Sequence, residues 1–447
     1  MASFSLPAVG PSLRRSGTAT GGRNVELAMS TSADQPFRWR SVLVAALLPT
    51  LLFSTGEGAI IPVIPVIAGN VGATLAIAGF VSGMLVLGEL LGDIPSGVVI
   101  SHIGERTAMI AASGLSVLGL LTALLAPNPW VLALGILVVG IATAVFALAR
   151  HAFMTSFVPM QYRARALSTL GGSFRLGYLI GPFLGAGVIS LTGAASSVFW
   201  VHIAGCAAAA VVLLVLADPE KTFANATARR ETPGEVEVEQ EARGLFRTIR
   251  ANRHILVTLG LGSTLVAALR ASRQVLLPLW AVSIGLHETQ TSLIIGVAGL
   301  VDFSLFFAGG WIMDRFGRLW TAVPSMVGLG VGHLALAATA FLPGSVGWFI
   351  GIAMFLSLAN GIGAGILMTL GADLADPRHP APFLGAWRFT NDSGAATAPL
   401  IVSGLTALVS LPFAAGALGI LGLAGAVVLR VFVPRYSGRG GAKPVLS

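Results

Sequence analysis

The chain reads as an all-α polytopic membrane protein, with twelve transmembrane helices in two pseudo-symmetric six-helix halves, and three observations lead to that expectation. Of 447 residues, 55% are hydrophobic and only 10% charged, more apolar side chain than a soluble fold of this size hides in its core. Apolar segments long enough to cross about 30 Å of hydrocarbon recur twelve times along the sequence. A shift of 213 positions then lays the first half over the second without a gap: Pro65 on Pro278, Gly72 on Gly285, Gly83 on Gly296, Glu89 on Asp302, Gly97 on Gly310 and Gly104 on Gly317.

Taken in order, residues 1–40 are rich in Ser, Gly, Pro and Arg and lack the short apolar core of a signal peptide, which predicts a disordered tail. Six spans follow within 41–217, near 41–67, 75–100, 108–126, 131–157, 167–192 and 197–217. Residues 218–253 are the one long connection. Its first part, with Glu231, Glu235, Glu237, Glu239 and Glu241, reads as a solvated tether. Its end sets Leu245, Phe246 and Ile249 beside Arg243, Arg247 and Arg250, a pattern suited to a short helix on the membrane surface; a plain linker is the alternative. Residues 254–433 hold the second six spans, near 254–283, 290–315, 320–342, 346–373, 383–408 and 411–433, and 434–447 form a basic tail.

The net charge of +8 would suit a nucleic-acid partner, but the basic residues sort by side of a membrane. Turns 1–2, 3–4, 5–6, 7–8, 9–10 and 11–12 contain no Lys or Arg, whereas Arg106, Arg163, Arg165, Arg315, Arg318, Arg378, the linker and both tails lie on the other side. The positive-inside rule therefore puts both termini in the cytoplasm and the chain in the cell (inner) membrane, with no nucleic acid as partner. The one cysteine, Cys206, supports neither a disulfide nor a thiolate metal site, and no metal cluster, P-loop or nucleophile–base constellation is present in the sequence, so no cofactor and no enzymatic chemistry are expected.

Ionisable residues near mid-bilayer cost on the order of 3 kcal/mol each and normally face a bundle interior. Here Glu57, Glu89, Asp93, Arg150, Arg175, Arg270, Arg273, Asp302, Arg388 and Asp392 all fall inside predicted spans, with Asp373 at a span end. They lie on spans 1, 2, 4, 5, 7, 8, 10 and 11. Spans 3, 6, 9 and 12 carry no Asp, Glu, Lys or Arg, only His202 and His333, and are expected outside, facing lipid. Glu57, Glu89, Arg270 and Asp302 sit near the middle of their spans, while Arg150, Arg175, Arg388 and Asp392 lie nearer the cytoplasmic ends and His151 joins them there. The 213 shift superposes Glu57 on Arg270, and the two are expected to face each other across a central cavity. Permanent ion pairs that merely hold helices together are the plainer reading, weakened because buried pairs gain little net stability. A carboxylate that loses its arginine partner when the cavity opens rises in proton affinity, and Asp302 and Glu89 are the first candidates for a proton carrier.

Two motifs carry a family resemblance. Gly310 to Arg318, GWIMDRFGR, is similar to the G-x-x-x-D-R-x-G-R turn between spans 8 and 9 of the major facilitator superfamily: one Gly for helix approach, Gly317 for the turn, and Asp314, Arg315 and Arg318 to satisfy helix ends and pair across the cytoplasmic face. Its first-half copy keeps Gly97, Gly104 and Arg106 but has Ser101 and His102 where Asp and Arg are usual. Span 5 carries Gly177, Gly181, Pro182, Gly185 and Gly187, resembling the antiporter motif of the twelve-helix drug/proton antiporters, with Ala186 in place of the last Gly. A second-half counterpart sets Gly177 on Gly394, Pro182 on Pro399 and Arg175 on Asp392.

The resemblance implies secondary transport by alternating access, proton-coupled export of a drug-like or lipophilic small molecule, with protons and the lipid bilayer as further partners and a monomeric state. An organic-anion carrier using Arg270 and Arg273, three positions apart on one helical face, is the alternative; a receptor or scaffold that moves nothing is a remote one.

Overall fold

A hydrocarbon solvent leaves backbone N–H and C=O groups no partner outside the chain, so a crossing segment must close its hydrogen bonds within itself. Long apolar helices are what the computed structural model shows. It describes residues 39–158, 160–215, 245–376 and 380–437; the expected N-terminal tail, the acidic part of the linker, Arg378 and the last ten residues of the basic tail lie outside the described residues.

Among the described residues, eleven helical segments are long and apolar enough to cross: spans 1 to 6 are Ala46–Asn70, Leu75–Ile103, Glu105–Leu124, Pro129–Phe157, Arg165–Thr192 and Ala195–Val215. Spans 7 to 10 are Arg253–Ser283, Glu288–Phe316, Leu319–Phe341 and Ser345–Leu374, and span 12 is Leu411–Tyr436. Span 11, Ala381–Leu408, is a helix of 28 residues, diluted in hydropathy by Arg388 and the polar run Thr390 to Ser393. The helix expected after the acidic tether is present as Leu245–Ala251, and it leads through a π-helical turn, Leu256–Gly260, into span 7.

The turns obey the repeat. Gly104 and its equivalent Gly317 end spans 2 and 8 at φ 82° and 94°, and Gly72 and Gly285 turn the chain after spans 1 and 7 at φ 89° and 74°. These are left-handed conformations that a Cβ would strain.

Lipid supplies no hydrophobic drive between helices, so association rests on close packing of small residues. Within the first half, span 2 packs on span 4 with Gly88 and Gly140 each so near the partner helix that a Cβ would run into its backbone, at the Leu137 and Leu85 carbonyls respectively. Span 3 lies against spans 4 and 6, and span 9 against spans 10 and 12. The outer spans leave Leu118, Val211, Ile420 and Val427 more than half exposed, as expected of helices at the periphery. Their two histidines are fully buried: His333 bridges Ser272 Oγ at 3.0 Å and the Leu329 carbonyl at 2.8 Å, and His202 stands edge-on to Phe53.

The first six spans meet the last six along two antiparallel seams. Span 2 runs along span 11, from Ser403 Oγ on the Ala76 carbonyl (2.8 Å), past Gly83 against Pro399, to Asp93 against Arg388. Span 5 runs along span 8, from Phe183 against Gly296 to Arg175, whose guanidinium lies 4.3 Å from the Phe306 ring centre. Both seams start at the end that carries the arginine-free turns, where the short helix Ile64–Asn70 also touches span 7.

Candidate functional site

The polar residues inside the spans form two sets, one at each seam. The first is built on spans 1, 2, 4 and 11. Glu57 is completely buried and accepts a hydrogen bond from Thr143 Oγ1 at 3.1 Å, with the Tyr178 hydroxyl as a further donor in reach. Arg150 stacks over Phe174 at 4.6 Å and lies within electrostatic reach of Glu57, Glu89 and Tyr178, with His151 beside Arg150 and Arg388. Glu89 is surrounded by Glu57, Asp392 and Asp93, with Arg388 as the cation in reach. Arg388 donates to Asp93 Oδ1 at 2.6 Å across the seam and lies 3.5 Å from Asp392 one helical turn on. Four carboxylates thus share this side with two guanidiniums.

The second set is built on spans 5, 7, 8 and 10. Asp302 Oδ2 accepts from Arg273 at 3.2 Å and from Asn360 Nδ2 at 2.7 Å, and Arg273 donates its other arm to Ser357 Oγ at 2.7 Å. Arg270 donates to the Gly363 carbonyl at 2.5 Å, and the Nε atoms of both arginines have no partner. Arg175, on Phe306, lies within electrostatic reach of Asp302 and Arg270. Here three guanidiniums share one carboxylate.

Span 10 explains how Arg270 finds a carbonyl at this depth. Its helix stops at Ile362 and restarts at Ile366, with Gly365 left-handed at φ 84°. At the break the Gly363 carbonyl accepts from Ile366 N at 3.2 Å and from Arg270 as well, the arrangement by which discontinuous helices build sites at mid-membrane. Close approach supports it: Gly361 abuts span 8 at the Asp302 carbonyl, and Gly309 abuts Ile362. Asn360 and Gly363 are the site residues that sequence reasoning missed. The signal was present as Asn360-Gly361-Ile-Gly363-Ala-Gly365, a glycine-interrupted apolar run.

Glu57 and Arg270 fall one in each set, each with its own partners. Asp302 and Glu89, equivalent by the repeat, differ in surroundings, since Asp302 is ion-paired with Arg273 whereas Glu89 sits among carboxylates. One expectation needs correction. In the Gly310–Arg318 turn, the glycine that permits helix approach is Gly309; a Cβ at Gly310 would meet open space, because one residue along a helix rotates the side chain by about 100°.

The turn's charges pair inside the second half. Arg318 grips Asp373 with two bonds, of 2.7 and 3.1 Å, and this hydrogen-bonded carboxylate raises the Arg318 pKa above its ordinary value. Asp314 adds to the field at Arg318, and Arg315 lies over Trp311 and Phe316. In the degraded first-half copy, Arg106 Nε donates instead to the Leu213 carbonyl at 2.7 Å, capping the end of span 6, and Glu105 accepts from Ser156 at 2.6 Å. Gly97 is buried, and Gly104 makes the turn.

The span 5 glycines point at span 1. A Cβ at Gly181 would lie 2.5 Å from both Ala59 N and the Thr55 carbonyl; Gly177 faces Ser54 and Thr55, Gly185 faces Ala59, and Pro182 interrupts the ladder beside them. Glu57 is thereby carried on a helix locked to span 5.

Comparison with known proteins agrees with this architecture. The sequence model described as Major Facilitator Superfamily matches residues 46–300 and 259–445. The tetracycline resistance protein, class B, of Escherichia coli is 28% identical over 327 residues, 71% of this chain and 76% of its own length. An uncharacterized MFS-type transporter, YfkF of Bacillus subtilis, is 24% identical over 59% of this chain, and the match spans 63% of its length. Among solved structures, a POT family transporter in complex with a thioalcohol-conjugated peptide superposes with a TM-score of 0.71 at 13% identity, covering 88% of this chain and 96% of that one. A D-xylose–proton symporter gives 0.66 at 15% identity, covering 89% and 99%. With a helical architecture, two repeat-related sets of charges and a family model that spans both halves, the chain belongs to the Major Facilitator Superfamily.

Proposed function

We propose that the protein is a secondary transporter that works by alternating access and exports a drug-like or lipophilic small molecule in exchange for protons. It acts as a monomer in the inner membrane, with both termini and the 218–253 linker cytoplasmic and the six-helix halves 41–217 and 254–433 moving against each other. The observation that carries this reading is Glu89: a half-buried carboxylate on the span 2–span 11 seam, surrounded by Glu57, Asp93 and Asp392 and sharing Arg388 with them. Four carboxylates meet two guanidiniums there, and we assign the missing positive charge to a proton. The antiporter-motif glycines packed on span 1 and the resemblance to a tetracycline resistance protein support export.

The second reading, an organic-anion carrier, is supported by Arg175, Arg270 and Arg273 around a single carboxylate. Everted membrane vesicles carrying a pH-sensitive dye separate the two. Proton efflux from preloaded vesicles on addition of lipophilic cations, lost in Glu89→Gln, supports drug/proton antiport. Uptake confined to anions, insensitive to Glu89→Gln and abolished by Arg270→Gln, supports the carrier.

A further inference from the structure

The two charge sets are related by the same repeat that relates the halves. Spans 1, 2, 4 and 11, which carry the acidic set, correspond one by one to spans 7, 8, 10 and 5, which carry the basic set. The correspondence inverts the charge at Glu57 and Arg270 and at Asp392 and Arg175. In space this inversion produces segregation rather than pairing: couplings link Glu57 with Glu89 and Arg150, and these two with Arg388, in one set, and Arg270 with Asp302, Arg175 and Arg273 in the other.

The two sides have unequal means of neutralising themselves. Carboxylates in excess take protons, but a guanidinium keeps its proton throughout the accessible pH range. Three guanidiniums around Asp302 at mid-membrane therefore remain a positive surplus unless an anion from outside joins them. Arg270 is engaged by a neutral carbonyl and Arg175 by an aromatic ring, so neither is matched by a carboxylate hydrogen bond.

We propose that the transported molecule is bipolar, with an anionic group held by Arg270 and Arg175 and a cationic group held by Glu89 and Asp392. This deepens the transport reading above and rests on it for the direction of movement only. Apolar parts of the ligand lie between the two poles, where Phe306 and Tyr178 supply aromatic surface; both belong to helices of the span 5–span 8 seam.

The test uses the full-length protein in lipid nanodiscs and matched probes on one aromatic skeleton: 4-(aminomethyl)benzoic acid, 4-methylbenzylamine and 4-methylbenzoic acid, with longer-spaced homologues of each. Isothermal titration is expected to give the bipolar member of a triplet an affinity at least about tenfold above either monopolar member, since each pole adds a charge-assisted bond. Glu89→Gln removes the advantage over the carboxylate, and Arg270→Gln removes the advantage over the amine. Equal or tighter binding of a monopolar member in every triplet, or no binding of any probe at millimolar concentration, overturns the proposal without reference to any variant. Repeating the titration in two buffers of different ionisation enthalpy counts protons released. The bipolar ranking without proton release would leave the ligand class standing and remove the antiport reading, while release without the ranking would do the reverse.

Discussion

Asp302→Asn and Glu89→Gln are the same operation on repeat-equivalent residues, and the structure makes their consequences different. The Asp302 carboxylate receives two charge-assisted bonds, from Arg273 at 3.2 Å and Asn360 at 2.7 Å, with side chains of Asp302 and Arg273 only 16% and 13% exposed. Each such bond is worth about 1.5–3 kcal/mol, and removing one partner of a buried pair costs about 3–5 kcal/mol because the other charge stays buried. Asp302→Asn should therefore lose about 3 kcal/mol of stability, and the double variant Asp302→Asn with Arg273→Gln should recover most of it. Glu89 has no such bonds to lose, so Glu89→Gln should leave the unfolding transition in place and abolish proton-driven transport while exchange of a ligand that lacks the cationic group continues. Thermal unfolding in detergent, paired with transport in proteoliposomes with and without a pH gradient, measures both quantities. An Asp302→Asn protein that unfolds at the wild-type temperature yet has lost proton-driven transport would refute this division of labour and return Asp302 to the role of carrier.

Two further outcomes follow from distances already given. Gly181→Val places a branched side chain where even a Cβ lies 2.5 Å from the span 1 backbone, so it should cost at least about 1–3 kcal/mol as an overpacked core does, seen as a lowered unfolding temperature and loss of transport, whereas Gly187→Val, facing open space, should be tolerated. Arg388, at 41% exposure, should contribute under about 1 kcal/mol through its pair with Asp93; Arg388→Ala should leave stability nearly unchanged and widen the distance between spin labels on spans 2 and 11 at that end of the seam.

The helices were legible because a membrane demands a long apolar run for each crossing, and span 11 was read correctly although its polar stretch dilutes the signal. The glycine turns were legible because the repeat aligned Gly104 with Gly317 and Gly72 with Gly285. Hydrogen-bond partners were not. The repeat makes Glu57 and Arg270 equivalent, yet Glu57 accepts from Thr143 and Arg270 donates to the Gly363 carbonyl, neither of which the alignment names. The rotation of each helix about its axis, which places Arg175 on Phe306 and Arg388 on Asp93, leaves no trace in the order of residues along a span. Asn360 and Gly363 are neutral, so a search for charges passed over them.

The way span 5 touches its two neighbours has a mechanical consequence. Toward span 1 the contact at Gly181 is backbone on backbone, where no side chain can give way, and Gly177 lies against the Ser54 side chain and Thr55 N. Toward span 8 it is side chain on glycine, Phe183 at Gly296 and Leu179 near Gly299, where a ring or a leucine can change rotamer over a smooth surface. Span 2 is rigid toward span 4 at Gly88, backbone on backbone, and meets span 11 through the stiff Pro399 ring at Gly83. Of these contacts, the span 5–span 8 seam is the one whose side chains can yield. A load applied to Glu57 moves spans 1 and 5 together, as a lever whose bearing is the span 8 surface.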